Sequence, residues 1–155
     1  MSALPRDDAD LRPMQLADLD DILPVELQCY VVPWTRGNFV DSLVAGYQAR
    51  VLRDASGELL AYFIAMPGFE ELHLLNITVA PAHQGRGLAL RMLDELRRLC
   101  TEQGAFKIWL EVRISNERAR AIYRRHGFSE VGLRRAYYPM PGGPREDAVL
   151  MSLDV

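Results

Sequence analysis

The sequence reads Gln84-Gly85-Arg86-Gly87-Leu88-Ala89 at the junction between a predicted strand and a predicted helix. An apolar run at residues 74–79 precedes this junction, and a segment with helical periodicity at residues 88–100 follows it. Glycine has no Cβ, so backbone N–H groups here can approach a ligand closely. The first N–H groups of a helix also lack intrahelical partners and carry partial positive charge. The junction therefore predicts a binding site for phosphate oxygens.

Outward from this junction, apolar periodicity and turn residues predict seven strands and four helices. Thr35 and Ser115-Asn116 are suited to cap helices, Gly127 to end one, and Pro67-Gly68 to end a strand. The strands are predicted at residues 11–16, 48–53, 58–66, 71–79, 106–112, 129–137 and 147–153, and the helices at residues 17–30, 36–43, 88–100 and 117–126. The strands that flank the junction helix should be parallel, with a right-handed connection. We expect an α/β fold with a mixed central sheet.

The composition is typical of one globular domain. The chain has 155 residues, of which 49% are apolar and 25% charged, so we expect a single domain over residues 1–155. Its net charge of −3 argues against a general nucleic-acid binder. No apolar run approaches the roughly 20 residues needed to cross a bilayer. Residues 1–10 carry charges and Pro5 where a signal peptide needs an apolar core, so we expect a flexible extension and a cytoplasmic protein.

Cysteine and histidine give no indication of a metal or redox site. Cys29 and Cys100 lack the spacing of metal-binding or redox motifs, and the three histidines are scattered along the chain. We therefore expect reduced thiols and no bound metal.

Positive charge is concentrated in one part of this acidic chain. Residues 84–125 contain ten basic and five acidic side chains, a local charge of +5 against −3 for the whole. Such a local field suits a small polyanionic ligand, although solvated helix faces would account for part of it.

Three kinds of glycine-rich phosphate site are alternatives for the junction. A P-loop needs Gly-x-x-x-x-Gly-Lys-Ser/Thr, which this sequence lacks. A dinucleotide fold places Gly-x-Gly-x-x-Gly directly after a strand, whereas residues 81–84 intervene here and Leu90 occupies the third glycine position. The third is a cradle for the diphosphate of coenzyme A, in which the N–H groups of residues 85–89 bind the phosphates and Arg86 adds charge.

The junction resembles motif A of the GNAT acetyltransferase superfamily, Gln/Arg-x-x-Gly-x-Gly/Ala, which binds acetyl-CoA. The predicted order of elements is also similar to that superfamily over residues 11–153. Ala89 stands where glycine is commonest and is an allowed small variant. Further segments resemble the bacterial ribosomal-protein-alanine N-acetyltransferases of the RimI type. They are Pro33-Trp34, Leu75-Asn76-Ile77 with Val79, Trp109-Leu110-Glu111-Val112-Arg113 with Ser115-Asn116, Tyr123 with Gly127-Phe128, Arg134-Arg135 with Tyr137-Tyr138-Pro139, and Arg145-Glu146-Asp147-Ala148.

The resemblance implies the acyl-CoA N-acyltransferase fold and acetyl-CoA as co-substrate, with no metal. Residues 77–79 would run beside the pantetheine arm and hydrogen-bond it as an added strand would, a role compatible with an ordinary buried strand. Asn116 matches a cofactor contact of the family, and a helix N-cap is an equal alternative. The implied cofactor-binding residues are Ile77, Thr78, Val79, Gln84, Gly85, Arg86, Gly87, Leu88, Ala89, Leu90 and Asn116.

Glu111 is the candidate base for attack of an amine on the thioester. A free α-amine has a pKa of about 7.7–8.0, so a base must remove its proton at neutral pH. Glu111 interrupts the apolar strand at residues 108–112, and a desolvated carboxylate is a stronger base. The alternative is a structural glutamate paired with Arg113 or another arginine. The resemblance implies the catalytic role, because the family's proton acceptor falls at this position.

Tyr123 is the candidate proton donor to the departing thiolate. It lies on the apolar face of the helix that follows the Glu111 strand, and a phenol with a pKa of about 10 can supply a proton. By itself such a residue would more often be an aromatic anchor of the core. The resemblance implies the catalytic role, because the family's proton donor falls here.

The resemblance implies a protein N-terminus as the acceptor, with the N-terminal alanine of a small-subunit ribosomal protein preferred. Tyr137 and Tyr138 would flank the peptide entrance or belong to a hairpin with surface aromatics, and Trp34 would line the acceptor site or anchor the second helix. We expect direct transfer in a ternary complex by a monomer or weak dimer that binds neither nucleic acid nor membrane. The alternatives are acetylation of lysine or small-molecule amines, and a CoA-binding module without turnover.

Overall fold

A computed structural model describes residues 9–155 as seven strands and four helices, with 3₁₀ turns at Leu16–Asp18 and Pro81–His83. The strands are β1 (Asp10–Pro13), β2 (Gln48–Arg53), β3 (Leu59–Gly68), β4 (Glu71–Val79), β5 (Lys107–Arg113), β6 (Ser129–Tyr138) and β7 (Glu146–Asp154). The helices are α1 (Leu19–Cys29), α2 (Arg36–Val44), α3 (Leu88–Glu102) and α4 (Glu117–His126).

The strands form one mixed sheet in the order β1-β2-β3-β4-β5-β7-β6. β4 and β5 pair in parallel, whereas β1 with β2, β2 with β3, β5 with β7, and β6 with β7 are antiparallel. The predictions of a mixed sheet with four helices, and of a parallel strand pair flanking α3 in the sequence, are therefore confirmed.

The chain divides into two compact units, each made of two sequence segments. Of the described residues, the first unit contains 9–65 and 76–92, and the second contains 66–75 and 93–155. β3, β4 and α3 contribute residues to both units. A single domain over residues 1–155 stays a prediction.

Most of the expected N-terminal extension, residues 1–10, lies outside the described residues. Asp10 is described and is not part of an extension, because it begins β1 and pairs with Arg53 of β2. The backbone oxygen of Ala9 also accepts a hydrogen bond from Arg91 at 3.2 Å. Ala9 and Asp10 therefore both contact other parts of the described chain.

Each unit has its own apolar core, built from the apolar faces that the sequence pattern predicts. Fully buried side chains of the first unit include Leu19, Ile22, Phe39, Val51 and Phe63, and those of the second include Leu72, Leu96, Ile108 and Met151.

Helix ends follow the predicted local signals. Thr35 accepts a hydrogen bond from the N–H of Asn38 at 3.2 Å where α2 begins. Asn116 accepts one from the N–H of Ala119 at 3.1 Å where α4 begins. Gly127 ends α4 with a φ of 114°, a left-handed conformation that glycine adopts at little cost.

Two predicted strand ends are wrong. β1 stops at Pro13 rather than at residue 16, because Leu16 opens a 3₁₀ turn in which the Asp18 carboxylate accepts a hydrogen bond from Gln15 N at 2.7 Å. β3 continues through Pro67 to Gly68. Its register with β2 ends at Ala65, so Pro67, which has no N–H, lies where that ladder needs no donor.

Replacing Asp18 with asparagine should lower the free energy of unfolding at pH 7 by about 2 kcal/mol. The buried carboxylate lies 3.0 Å from Arg12 Nη2 and 2.9 Å from Arg53 Nη2. Burial alone would raise the pKa of Asp18, but hydrogen bonds from the Gln15 N–H and the two arginines outweigh it and lower the pKa below its usual value. The stabilisation is thus present above the unfolded-state pKa and lost as pH falls through the folded-state pKa.

Urea unfolding at pH 7 and pH 3 measures this effect. The difference between the wild type and Asp18→Asn should shrink at pH 3, and an undiminished difference there would contradict the argument. Asp20→Asn is the control, because the Asp20 side chain is 79% exposed and its ion pair with Arg36 should contribute under about 1 kcal/mol.

Candidate active site

The junction before α3 forms an open backbone loop in the first unit. Gly85 and Gly87 have φ values of 79° and 77°, a region that other residues rarely adopt. A Cβ added to either would meet no atom of the described chain within 4 Å, its sequence neighbours aside. Gln84 ties the loop to β4 by donating from Nε2 to the Val79 oxygen at 3.1 Å. Left-handed glycines before a helix N-terminus form a concave set of amides that fits phosphate oxygens.

The Arg86 side chain, expected beside the phosphates, is directed along the loop toward His83. Arg86 Nη1 lies 2.7 Å from His83 Nδ1, and His83 Nε2 contacts the Glu58 carboxylate. Neither His83 nor Glu58 is a site residue that the sequence predicts. Only the fold brings Glu58 next to a residue 25 positions later in the chain.

The end of β4, where the pantetheine contact is predicted, alternates between buried and half-exposed residues. Asn76 and Thr78 are buried, whereas Ile77 and Val79 are half-exposed. The Tyr30 hydroxyl lies 2.6 Å from Thr78 Oγ1 and 3.1 Å from the Ile77 oxygen. Thr78 Oγ1 in turn donates to Asn76 Oδ1 at 2.8 Å. Side-chain hydrogen bonds therefore hold this strand segment on its buried side.

Glu26 of α1 belongs to the same polar network. The sequence pattern does not indicate this role. Its side chain accepts hydrogen bonds from Tyr62 at 2.6 Å, Asn76 at 3.0 Å and the Trp34 N–H at 2.9 Å. Burial and the neighbouring Glu26 carboxylate raise the pKa of Tyr62, so its hydroxyl stays a donor. An acidic residue in an amphipathic helix normally faces solvent, and only the fold shows that Glu26 does not.

Trp34 has the anchoring contact that was one of its two predicted roles. Its ring centroid lies 5.1 Å from that of Phe39 in α2, and both residues belong to the first unit. Its role in lining an acceptor site stays a prediction.

Glu111 lies in β5 of the second unit, one residue beyond the last pair of the parallel ladder, Leu74 with Leu110. Its side chain is 8% exposed. Glu111 Oε1 is 2.7 Å from His73 Nε2, and Oε2 is 3.3 Å from Arg134 Nε. The carboxylate is therefore buried as expected, but with two polar partners rather than among apolar groups.

The predicted alternative for Glu111, an ion pair with an arginine, is thus present, but the partner is Arg134 and not Arg113. Arg113 Nη1 pairs instead with Glu146 Oε1 at 3.0 Å. An ion pair does not exclude catalysis, because an ionised carboxylate has acceptor sites on both oxygens beyond those that two partners use. The Arg134 side chain is 47% exposed.

His73 of β4, which contacts Glu111, stacks on Trp109 of β5. The rings of His73 and Trp109 lie 3.6 Å apart with an interplanar angle of 8°. Trp109 Nε1 donates to the Glu71 carboxylate. Strand alternation places Glu71 and His73 on one face of β4, but the sequence does not reveal that β5 lies beside them in this register.

Tyr123 is buried in α4, and its ring centroid lies 5.7 Å from that of Phe128. This contact fits an aromatic anchor, and the role of proton donor stays a prediction. Asn116 acts as the N-cap of α4, which was one of its two predicted roles.

Tyr137 and Tyr138 lie at the end of β6, close to the Glu111 charge. Burial, followed by the Glu111 carboxylate, raises the pKa of both tyrosines. Arg134 lies over the Tyr137 ring at 5.6 Å, and Arg113 lies over the Tyr138 ring at 4.6 Å. The second unit therefore gathers a carboxylate, two arginines and two phenols, a set suited to proton transfer beside an aromatic surface.

The sequence of this chain is similar to those of known acetyltransferases. The model of the "Acetyltransferase (GNAT) family" matches residues 19–128. The "[Ribosomal protein bS18]-alanine N-acetyltransferase" of Haemophilus ducreyi is 34% identical over 136 residues, which cover 88% of this chain and 93% of that protein. The protein of the same name from Escherichia coli (strain K12) is 34% identical over 142 residues, which cover 92% of this chain and 95% of that protein.

A solved structure agrees with these sequence relatives. The crystal structure of the ribosomal-protein-S18-alanine N-acetyltransferase from Escherichia coli is similar to this chain with a TM-score of 0.86 and 33% identity. The match covers 95% of this chain and 94% of that one.

Membrane and metal binding concern the helices and the ligating side chains of residues 9–155. None of the helices there has both the length and the apolar character that crossing a bilayer requires. No group of three or more histidine, cysteine, aspartate or glutamate side chains in that range is placed to hold a metal ion.

Proposed function

The chain belongs to the GNAT acetyltransferase family, whose model matches more than half of it, and on that premise we propose that it acetylates the N-terminal α-amine of a ribosomal protein. One observation carries the choice of acceptor. The relatives named above match about nine-tenths of the chain, and their names give the alanine of ribosomal protein bS18 as acceptor. An N-terminal alanine of a small-subunit ribosomal protein is therefore the proposed substrate, and such a substrate would place the protein in the cytoplasm.

The first unit supplies the proposed contacts to acetyl-CoA. The amides of residues 85–89 would bind the diphosphate, with the charge of Arg86 nearby and Gln84 shaping the loop. Leu88 and Leu90 belong to the first turn of α3, whose N-terminal dipole favours the same anion. Residues 77–79 would pair through their backbone with the pantetheine arm, because Asn76, Thr78 and Tyr30 already hold this segment on its buried side. Asn116 is proposed as a further cofactor contact besides capping α4.

Glu111 is proposed as the general base. Bound acetyl-CoA supplies an acetyl group that is activated as a thioester. An α-amine is mostly protonated at neutral pH, and its nitrogen attacks only after it loses a proton. Glu111 Oε2 would accept that proton, because its 3.3 Å contact with Arg134 Nε is longer than the 2.7 Å contact of Oε1 with His73 Nε2.

Tyr123 is proposed as the general acid, which would donate its hydroxyl proton to the sulfur that leaves. The nitrogen loses a second proton to solvent as it becomes the amide nitrogen. Solvent then takes the proton from Glu111 and returns one to Tyr123, so that one proton is released per turnover. Trp34, Tyr137 and Tyr138 are proposed to contact the acceptor peptide, since half-exposed aromatic side chains provide contact area with little loss of conformational entropy.

The purified protein should acetylate a peptide with N-terminal alanine at least about 100-fold more efficiently, in kcat/KM, than the same peptide with a blocked N-terminus and an internal lysine, a difference of about 3 kcal/mol in transition-state binding. Mass spectrometry of the products locates the acetyl group. Spermidine and other polyamines serve as the small-molecule arm. A preference for lysine or polyamine would overturn the proposed acceptor, and acetyl-CoA binding without product on any amine would overturn catalysis altogether.

A further inference from the structure

His73 is a buried histidine in direct contact with the proposed base, and no step described so far uses it. Its side chain is 11% exposed, and its Nε2 lies 2.7 Å from Glu111 Oε1. The contact joins β4 to β5 across 38 residues of sequence. The His73 ring is therefore placed to influence the position of the Glu111 carboxylate.

The hydrogen bond between His73 and Glu111 determines which ring nitrogen of His73 carries the proton. An ionised carboxylate can only accept hydrogen bonds, so a contact of 2.7 Å with Nε2 requires that Nε2 carry the proton. His73 Nδ1 is buried without a hydrogen-bond partner among residues 9–155. A second proton on Nδ1 would leave a buried N–H without an acceptor, which is costlier than an unpaired lone pair. The geometry thus favours a neutral ring that donates to Glu111 Oε1.

The ring is also held in one orientation. It stacks on Trp109 at 3.6 Å, and Trp109 is itself held by the contact of its Nε1 with the Glu71 carboxylate. A donor on a fixed ring fixes the acceptor in turn, so Oε1 of Glu111 has little freedom to rotate away. Its other oxygen, Oε2, lies 3.3 Å from Nε of Arg134, whose side chain is 47% exposed.

We propose that His73 is a positioning residue, whose Nε2–H holds Glu111 Oε1 so that Oε2 is presented to the acceptor amine. This inference rests on the proposed role of Glu111 as the base. The proton leaves the amine for Oε2 and never passes to His73, because the Nε2 position is already protonated. Arg134 occupies Oε2 loosely and gives way to the amine, whereas His73 remains in place.

Two substitutions distinguish the effect of the His73 hydrogen bond from the effect of its stacking on Trp109. His73→Gln keeps a side-chain N–H donor at a similar reach but loses the stack on Trp109, and His73→Phe keeps an aromatic ring but loses the donor. His73→Gln should retain most of the wild-type kcat, and His73→Phe should lower kcat about tenfold with little change in KM for acetyl-CoA. A kcat ratio of Gln to Phe above about five supports the proposal. A ratio of about two or less, or a reversed ratio, overturns it.

A double-mutant cycle tests whether His73 acts through Glu111. In a Glu111→Gln background, His73→Phe should lower the residual kcat by less than about twofold, because the carboxylate that it positions is gone. A further tenfold loss in that background would show a structural role and overturn the proposal. If His73→Phe does not fold, His73→Leu, which also lacks a donor, replaces it in both experiments.

His126 provides the matched control. It is a histidine of the same unit whose side chain is 7% exposed, and its Nε2 lies 2.9 Å from Asp94 Oδ1. Like His73, it has a buried Nδ1 without a hydrogen-bond partner in the described chain. His126→Gln and His126→Phe should leave kcat unchanged. If the wild type is active and Glu111→Gln is not, the proposed function stands whatever the His73 ratio is, so the two proposals fail separately.

Discussion

Glu111→Gln should lower kcat about 10³-fold while the dissociation constant of acetyl-CoA stays within about twofold of the wild type. Glutamine keeps the size and shape of the side chain but cannot accept the proton of the amine. The proposed cofactor contacts lie in residues 77–90 and at Asn116, so the loss should fall on the chemical step. Steady-state kinetics with an N-terminal alanine peptide measures kcat, and calorimetry measures acetyl-CoA binding.

The pH profile adds a second criterion for this prediction. Without a base, turnover depends on amine that is already neutral, so the residual rate of Glu111→Gln should rise about tenfold per pH unit below the amine pKa of about 7.7–8.0. Activity equal to the wild type across neutral pH would remove Glu111 from the mechanism. Glu130→Gln is the control, because Glu130 is also a carboxylate of the second unit paired with arginines, Arg120 and Arg124, and should tolerate the change.

Gly87→Ala should weaken acetyl-CoA binding about tenfold or more, the second large effect that we expect. Gly87 has a φ of 77°, so an alanine there must either accept strain or move the loop. A Cβ at this position meets open space in the protein itself, within residues 9–155, so any clash would come from the ligand. The dissociation constant from calorimetry should rise, and KM for acetyl-CoA should rise with it, while kcat at saturation changes less.

Gly46→Ala separates backbone strain from loss of the phosphate site. Gly46 has nearly the same φ, 79°, and a Cβ there also meets open space in the described chain, but it lies in the turn between α2 and β2. Both variants should lower the melting temperature by similar amounts, and only Gly87→Ala should weaken acetyl-CoA binding. Equal affinities in the two variants would place the diphosphate away from the loop before α3.

Features that depend on near neighbours in the chain were predictable from the sequence. The caps at Thr35 and Asn116 bond residues three positions away, and Gly127 ends its helix by its own backbone conformation. The open loop at residues 84–89 follows from glycines next to a helix start. The wrong strand end at Pro13 also has a local cause, the hydrogen bond that the Gln15 N–H donates to the Asp18 carboxylate three positions later, which apolar alternation does not indicate. The wrong end at Gly68 depends instead on where the pairing of β3 with β2 stops.

The surroundings of the candidate catalytic groups were not predictable in this way. Glu111 could be identified as unusual because it interrupts an apolar strand, but its partners lie 38 residues before it and 23 after it. Glu26 would be assigned to a solvated helix face, yet it is bonded to Asn76, 50 residues later.

Local pattern and motif thus predicted the order of strands and helices, the open glycine loop that is proposed to bind phosphate, and Glu111 and Tyr123 as the residues to test. The pairing of β4 with β5 places His73 beside Glu111. Arg134, which contacts the same carboxylate, lies in the part of β6 that pairs with β7. The physical reason is the distance along the sequence over which each kind of interaction acts. Backbone conformation and capping respond to residues within a turn or so, whereas the partners of a buried charge are set by strand register, which no single segment contains.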